Sequence, residues 1–98
     1  METQTVSDAQ KTARMFKALS VETRVRIIEL LKDRSLCVNA LARVLRITPA
    51  AVSQHLRILR DADIVVADRQ GYFVHYRLNS KTLAQCRRMA KDLLTADA

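Results

Sequence analysis

The chain has 98 residues, room for one domain. Seventeen Lys and Arg against ten Asp and Glu give a formal charge of +7, with one Gly, one Pro, two Cys and no Trp. So few turn residues argue against an all-β sandwich or barrel, and a hydrophobic fraction of 49% is too high for a disordered basic tail. No apolar run approaches the roughly 18 residues of a membrane span. Two cysteines do not make a secreted disulfide framework. The polar N-terminus METQTVSDAQ lacks the basic-then-apolar order of a signal peptide. A cytoplasmic, mostly helical, basic domain is expected, and its surplus charge points to a nucleic acid.

Residues 1–6 and 95–98 are expected to fray. Ser7 with Gln10 three residues on matches a capping box. Ala9, Ala13, Phe16 and Leu19 then recur near helical spacing, which predicts a first helix over 8–19. Ser20 is read as the cap of a second helix, with Glu22 complementing the dipole. Val25, Ile27, Ile28, Leu30 and Leu31 make that helix apolar and central, and it should end near Lys32–Arg34. Leu36–Val38 is a short apolar step. A third helix follows at 38–45, with Val38, Leu41, Ala42 and Leu45 inward.

Arg46-Ile47 reads as a tight turn. Thr48 is a good N-cap and Pro49 sits at N1, where its missing N–H costs nothing. The fourth helix spans 49–61, with Val52, His55, Leu56 and Leu59 facing inward, His55 as a hydrogen-bonded residue. The period then changes from 3.6 to 2. Strands 64–68 and 72–78 flank Arg69-Gln70-Gly71, whose glycine supplies a positive φ. Ser80 is read as the cap of a fifth helix at 81–95, with Leu83, Cys86, Ala90, Leu93 and Leu94 as its apolar stripe. The fold class is mainly α with a small β-hairpin. The order of four helices, two strands and a helix describes a winged helix-turn-helix, a single domain over 7–95.

A helix-turn-helix needs a second helix with a dry inner face and a small polar outer one. Ala50, Ser53 and Gln54 meet that demand. Gln54 suits a bidentate pair with adenine, Ser53 donates or accepts, and Ala50 suits a thymine methyl. Thr48 and Pro49 open the helix toward a phosphate. Arg43, Arg46, Arg57 and Arg60 are placed for flanking phosphates, and Arg69 and Gln70 for an adjacent minor groove. Any one of these arginines, taken alone, is an ordinary solvated side chain. The combination of a capped short helix, a small polar face, basic flanks and a basic hairpin is much more specific.

Four segments, in order, resemble the ArsR/SmtB family of transcriptional repressors. They are Phe16-Lys-Ala-Leu-Ser-Val-Glu-Thr-Arg-Val-Arg-Ile-Ile-Glu-Leu-Leu31, Leu36-Cys-Val-Asn-Ala-Leu41, Pro49-Ala-Ala-Val-Ser-Gln-His-Leu-Arg-Ile-Leu59 and Gly71-Tyr-Phe-Val-His-Tyr-Arg-Leu78. The resemblance runs from about Met15 to Leu94. It implies a winged-helix homodimer on a palindromic operator, released by an inducer, with helices 1 and 5 building the dimer interface. The apolar stripes Ala9, Ala13 and Phe16, and Leu83, Cys86, Ala90, Leu93 and Leu94, match that role. Met15 and Met89 are read as packing residues on the same helices. Two departures stand out. Arg46 occupies a turn position that is often Gly in the family, and Cys37 stands where a Ser or Thr cap is common.

Zinc-sensing members carry Asp/His and His/Glu pairs along helix 5. Here Thr82–Ala98 has no His, and its carboxylate side chains are Asp92 and Asp97. A second family site joins the cysteine of the Leu-Cys-Val segment to Cys or His in the N-terminal arm. Cys37 matches, but the arm before Phe16 has neither. The arsenic signature places another Cys two residues on, where this chain has Asn39. No cofactor is expected beyond a soft metal or metalloid at Cys37. Cys37 and Cys86 remain as sensor candidates, the former at a helix N-terminus near Arg34, a setting suited to a reactive thiol. His75 is read as a strand-surface residue.

The reading is therefore a dimeric, sequence-specific repressor bound to double-stranded DNA and released through cysteine chemistry. The alternatives are a winged-helix protein-interaction module and a constitutive regulator without an inducer. An enzyme is disfavoured, because no cluster of His, Cys or carboxylates has catalytic spacing.

Overall fold

The structure is a computed structural model and describes residues 7–95. The expectation of frayed termini lies outside these residues, apart from Thr95, whose N–H reaches Lys91 O at 2.9 Å. The elements are α1 (Asp8–Leu19), α2 (Glu22–Leu30), β1 (Leu36–Cys37), α3 (Val38–Leu45), α4 (Pro49–Asp61), β2 (Val65–Gln70), β3 (Phe73–Leu78) and α5 (Ser80–Leu94). The helix–strand order matches the winged helix-turn-helix expected, and β1 adds a third, two-residue strand. The sheet is antiparallel in the order β1-β3-β2.

Local chemistry explains most of the boundaries. Ser7 Oγ accepts from Gln10 N at 3.1 Å, and Gln10 Oε1 accepts from Ser7 N at 2.9 Å, so the capping box opens α1 on both sides. Ser20 does not cap α2. It closes α1 instead, donating from its hydroxyl to Lys17 O at 2.8 Å, and Val21 stands at the α2 N-cap without a side-chain bond. The second helix also stops at Leu30, short of Lys32–Arg34. Leu31 N–H is shared between Ile27 O and Ile28 O, which tightens the last turn and ends the α pattern.

Asn79 rather than Ser80 caps α5, its Oδ1 accepting from Thr82 N at 3.3 Å. The hairpin turn is Gly71-Tyr72, because β2 runs on through Arg69 and Gln70 and pairs Gln70 with Phe73. Two-residue hairpin loops need positive φ, and Gly71 supplies it at 64°.

The core lies where α2, α3 and α4 meet the start of β2. Ile27, Leu41, Val52, Leu56, Leu59, Ile64 and Val65 are fully buried. Burying each such side chain favours folding by about 1.5–3 kcal/mol before entropy is counted. These residues fix the rotation of α4, since Val52, Leu56 and Leu59 can only point inward. None of the residues of α5 is fully buried, despite its apolar stripe.

Candidate nucleic-acid interface

The turn between α3 and α4 is three residues long. Arg46 ends α3 in the left-handed region, at φ 58° and ψ 42°, with its N–H on Ala42 O. That conformation crowds a Cβ, which accounts for the preference for Gly at this place. Arg46→Gly is expected to raise stability by about 0.5–1 kcal/mol, relief of strain exceeding the added chain entropy. It should weaken DNA binding at the same time by removing a charge, so urea unfolding and DNA titration of one variant should move in opposite directions.

Thr48 caps α4 as its sequence suggests, Oγ1 accepting from Ala51 N at 3.1 Å, and Pro49 stands at N1. The hydroxyl proton of Thr48 is left free to donate outward. Because the buried residues fix the inner face of α4, Ala50, Ser53, Gln54, Arg57 and Arg60 fall outside it. All of these are exposed, as are Arg43, Arg46, Thr48, Pro49, Arg69 and Gln70. The ion pair found among the described residues joins Arg77 to Asp68 at 2.6 Å. The five exposed arginines are therefore uncommitted. Arg69 and Gln70 lie on the end of β2 rather than in the turn, and the wing tip proper is Gly71 and Tyr72.

One further residue joins this surface. A notch of about 260 Å³ separates α4 from the wing, lined by Ser53, Gln54, Leu56, Arg57, Arg60 and Tyr76. Tyr76 of β3 is half-buried. Its lining of the notch depends on β3 passing beside α4, which alternation alone does not show.

His55 is half-buried, with Nδ1 3.4 Å from a guanidinium nitrogen of Arg24. Burial, and then the charge of Arg24, hold its imidazole below the ordinary pKa of 6.5. The unfolded chain thus takes up a proton at His55 before the folded chain does. This contribution to stability is complete above about pH 6.5 and is lost as pH falls below it. The melting temperature should drop further between about pH 7 and pH 5 in the wild type than in His55→Gln. An equal drop in both would remove His55 as the source.

The sensor candidates lie on separate elements. Cys37 and Cys86 are both free and half-buried. Burial pushes the Cys86 thiol up, which disfavours its thiolate. The Cys37 side chain makes no capping bond to α3. It pairs across β1 and β3 with His75, which pairs in turn with Asp68. His75 is thus half-buried rather than a surface residue, and its Nδ1 is buried without a hydrogen-bond partner. Asp68 is turned to Arg77. Among the described residues no three His, Cys, Asp or Glu side chains come together as a metal site.

On another side, α1 and α5 flank a groove of about 920 Å³, whose lining includes Ala9, Ala13, Phe16, Met89 and Leu93. Leu93 and Leu94 are 60% and 73% exposed, while Leu83 packs against the core of its own chain and Met15 is buried. Cys86 and Ala90 are half-buried.

Comparison with known proteins agrees with this architecture. The profile of the arsR family of bacterial regulatory proteins matches residues 22–66. The transcriptional repressor SdpR of Bacillus subtilis is 36% identical over 69 residues, 70% of this chain and 77% of the repressor. The chain belongs to the ArsR/SmtB family of winged helix-turn-helix regulators. This is a family of transcriptional regulators, not of enzymes. The crystal structure of a "possible transcriptional regulator for arsenical resistance" superposes with a TM-score of 0.76 at 34% identity, covering 82% of this chain and 83% of that one. A homodimeric winged helix-turn-helix DNA-binding domain from Mycobacterium bovis gives 0.72 at 26% identity, covering 100% and 97%. Several further transcriptional regulators are longer, and the chain spans 52–61% of their length. Among the described residues of this ArsR-family chain, no helix is long and apolar enough to cross a membrane.

Proposed function

We propose that this ArsR-family chain is a homodimeric repressor that reads a palindromic operator. The outer face of α4 carries the reading. Ala50, Ser53 and Gln54 are small or neutral, exposed and bordered by unpaired arginines. In this reading those three meet base edges in the major groove. Thr48, Arg43, Arg46, Arg57 and Arg60 hold phosphates, with Tyr76 beside them, and Arg69 and Gln70 reach from the wing.

The dimer is supported by the unpartnered face of α1 and α5. A radius of gyration of 15.3 Å also exceeds the roughly 13 Å of a compact 100-residue domain, as expected of a protomer completed by another. A second copy is the natural occupant, and the similar domain from Mycobacterium bovis is homodimeric. Two recognition helices would then enter successive major grooves about 34–36 Å apart.

The inducer is proposed to act at Cys37, which sits at the junction of β1 and the helix-turn-helix. Cys86 is the weaker candidate, since burial disfavours its thiolate.

A mobility-shift assay on the DNA upstream of its own gene tests these points together. It should be run with and without oxidant, polysulfide, arsenite and divalent metals. A palindromic duplex is expected to bind far more tightly than a random one. Release by a thiol reagent should disappear in Cys37→Ser. Unaltered release in both Cys37→Ser and Cys86→Ser would leave a differently triggered regulator, and no release in the wild type would leave a constitutive one. Tyr72 and Phe73, 98% and 61% exposed, give a protein-interaction role its one specific support. Absence of any retardation at low salt would favour that role.

A further inference from the structure

Among the described residues one charged side chain is buried, Arg24 of α2, at 8% exposure. Each nitrogen of its guanidinium has a partner. Nε donates to Ala18 O at 2.7 Å, Nη2 to Lys17 O at 3.3 Å, and Nη1 lies 3.4 Å from His55 Nδ1. The two carbonyls belong to the last turn of α1, directly after Phe16, which lines the groove beside α5. The imidazole belongs to the recognition helix. α1 packs on α2 and α5, and α4 packs on α2, α3 and β2. The Arg24 fork thus bridges the α1–α5 pair and the helix-turn-helix.

A buried guanidinium is costly unless all its donors are met, and an apolar side chain of similar length would fill the space with less penalty. What Arg uniquely adds here is direction. A planar fork with three fixed partners sets the rotation and tilt of whatever it grips. His55 adjoins Gln54 in sequence and lies one turn or less from Ala51, Ser53 and Leu56. A change in its height or angle therefore moves the whole base-facing set. Since Nδ1 accepts, the ring proton resides on Nε2.

We propose that Arg24 is a positioning residue for DNA recognition. Through His55 it locks α4 to the C-terminal end of α1, and so sets the pose of Ala50, Ser53 and Gln54 relative to the dimer-forming face. The proposal rests on the DNA-binding reading above. Arg24 itself touches no DNA, because it is buried. Its effect is on the preference for operator over other DNA, not on the attraction to phosphate.

The test uses the full chain, an operator duplex and a random duplex of equal length, titrated by fluorescence anisotropy at several salt concentrations. Variants are His55→Leu, His55→Gln, Arg24→Met and Arg24→Met/His55→Leu, each checked for fold by circular dichroism. His55→Leu is expected to lower the operator-to-random affinity ratio by about tenfold, the range of coupled contacts. His55→Gln keeps an acceptor for Arg24 and should stay within about threefold of wild type. Arg24→Met should lose at least as much as His55→Leu, and the double variant no more than Arg24→Met. Affinity for random DNA and its salt slope should not change.

The proposal is overturned by a wild-type ratio in His55→Leu. It is also overturned by equal losses in His55→Leu and His55→Gln, or by a salt slope lowered in Arg24→Met. If Arg24→Met does not fold, the His55 pair decides the matter alone. A wild-type chain without operator preference overturns the DNA-binding reading together with this proposal, whereas a preference indifferent to His55→Leu overturns this proposal only.

Discussion

Leu93→Lys combined with Leu94→Lys is expected to yield a folded monomer with greatly reduced operator affinity. Both side chains are mostly exposed in the protomer, so removing them opens no cavity. Lys also suits the last turn of a helix, where its charge complements the dipole. The fold should therefore persist by circular dichroism. In a dimer the same positions would be covered, and two or four buried ammonium groups without partners are prohibitive. The variant raises the positive charge, so attraction to random DNA should hold or grow slightly. Operator affinity should nevertheless fall by about 10²–10⁴-fold, because each recognition helix loses its tethered twin. Sedimentation and DNA titration on the same sample decide the point. A variant that remains dimeric would remove the α1–α5 face as the interface.

Gln54→Ala gives the second large effect, of a different kind. Gln54 is exposed, uncharged and on the outer side of a helix whose rotation is set by Val52, Leu56 and Leu59. Stability should hardly move, since Ala is the better helix former. A lost bidentate contact costs about 1–3 kcal/mol of base discrimination at each half-site, and a twofold operator feels it twice. The salt slope should stay as in the wild type. Arg57→Ala makes the contrast. It should weaken all duplexes alike and lower the salt slope by about one per half-site. If Gln54→Ala leaves discrimination intact, base reading resides elsewhere on α4 or in the wing.

These two outcomes separate what the charge of the protein does from what its shape does. Positive charge is spread over the helices and the wing, and it draws the protein to any polyanion. In the function proposed here, selectivity rests on a few neutral side chains and on the distance between two copies of them. The unpaired state of the five interface arginines suits the first task. The buried fork of Arg24 suits the second.

Much of this was legible in the chain because it is local. Ser7 and Gln10 cap α1 across three residues, Thr48 and Pro49 open α4, and Gly71 supplies the one left-handed glycine of the wing. Each rests on bonds between neighbours, so the residues involved announce themselves by spacing. The periodicity of Val52, Leu56 and Leu59 tells which side of α4 is dry, and thereby which of its residues are exposed. Where two local signals competed, the reading went astray. Ser20 can close one helix or open the next, and it closes α1 because Lys17 O lies within reach of its hydroxyl.

By itself, then, the sequence determined the order of elements, the dry face of α4, the capped turn before it and the basic setting around it. These follow from side-chain type and short-range spacing. Only the tertiary structure decided the rest. β1 is two residues long and exists because β3, far along the chain, supplies Tyr76 and His75 as partners. That pairing took His75 off the surface and put it beside Cys37. Tyr76 joins the notch beside α4 only where β3 passes that helix. Arg24 looks in the sequence like one more solvated cation on an amphipathic helix. Its spacing of three from Ile27 and seven from Leu31 puts it on the dry side of α2, but its partners, the end of α1 and His55 31 residues away, are ones that no periodicity encodes. The surplus of positive charge that first suggests a polyanion is read from composition alone, while long-range packing governs how the outer face of α4 is held.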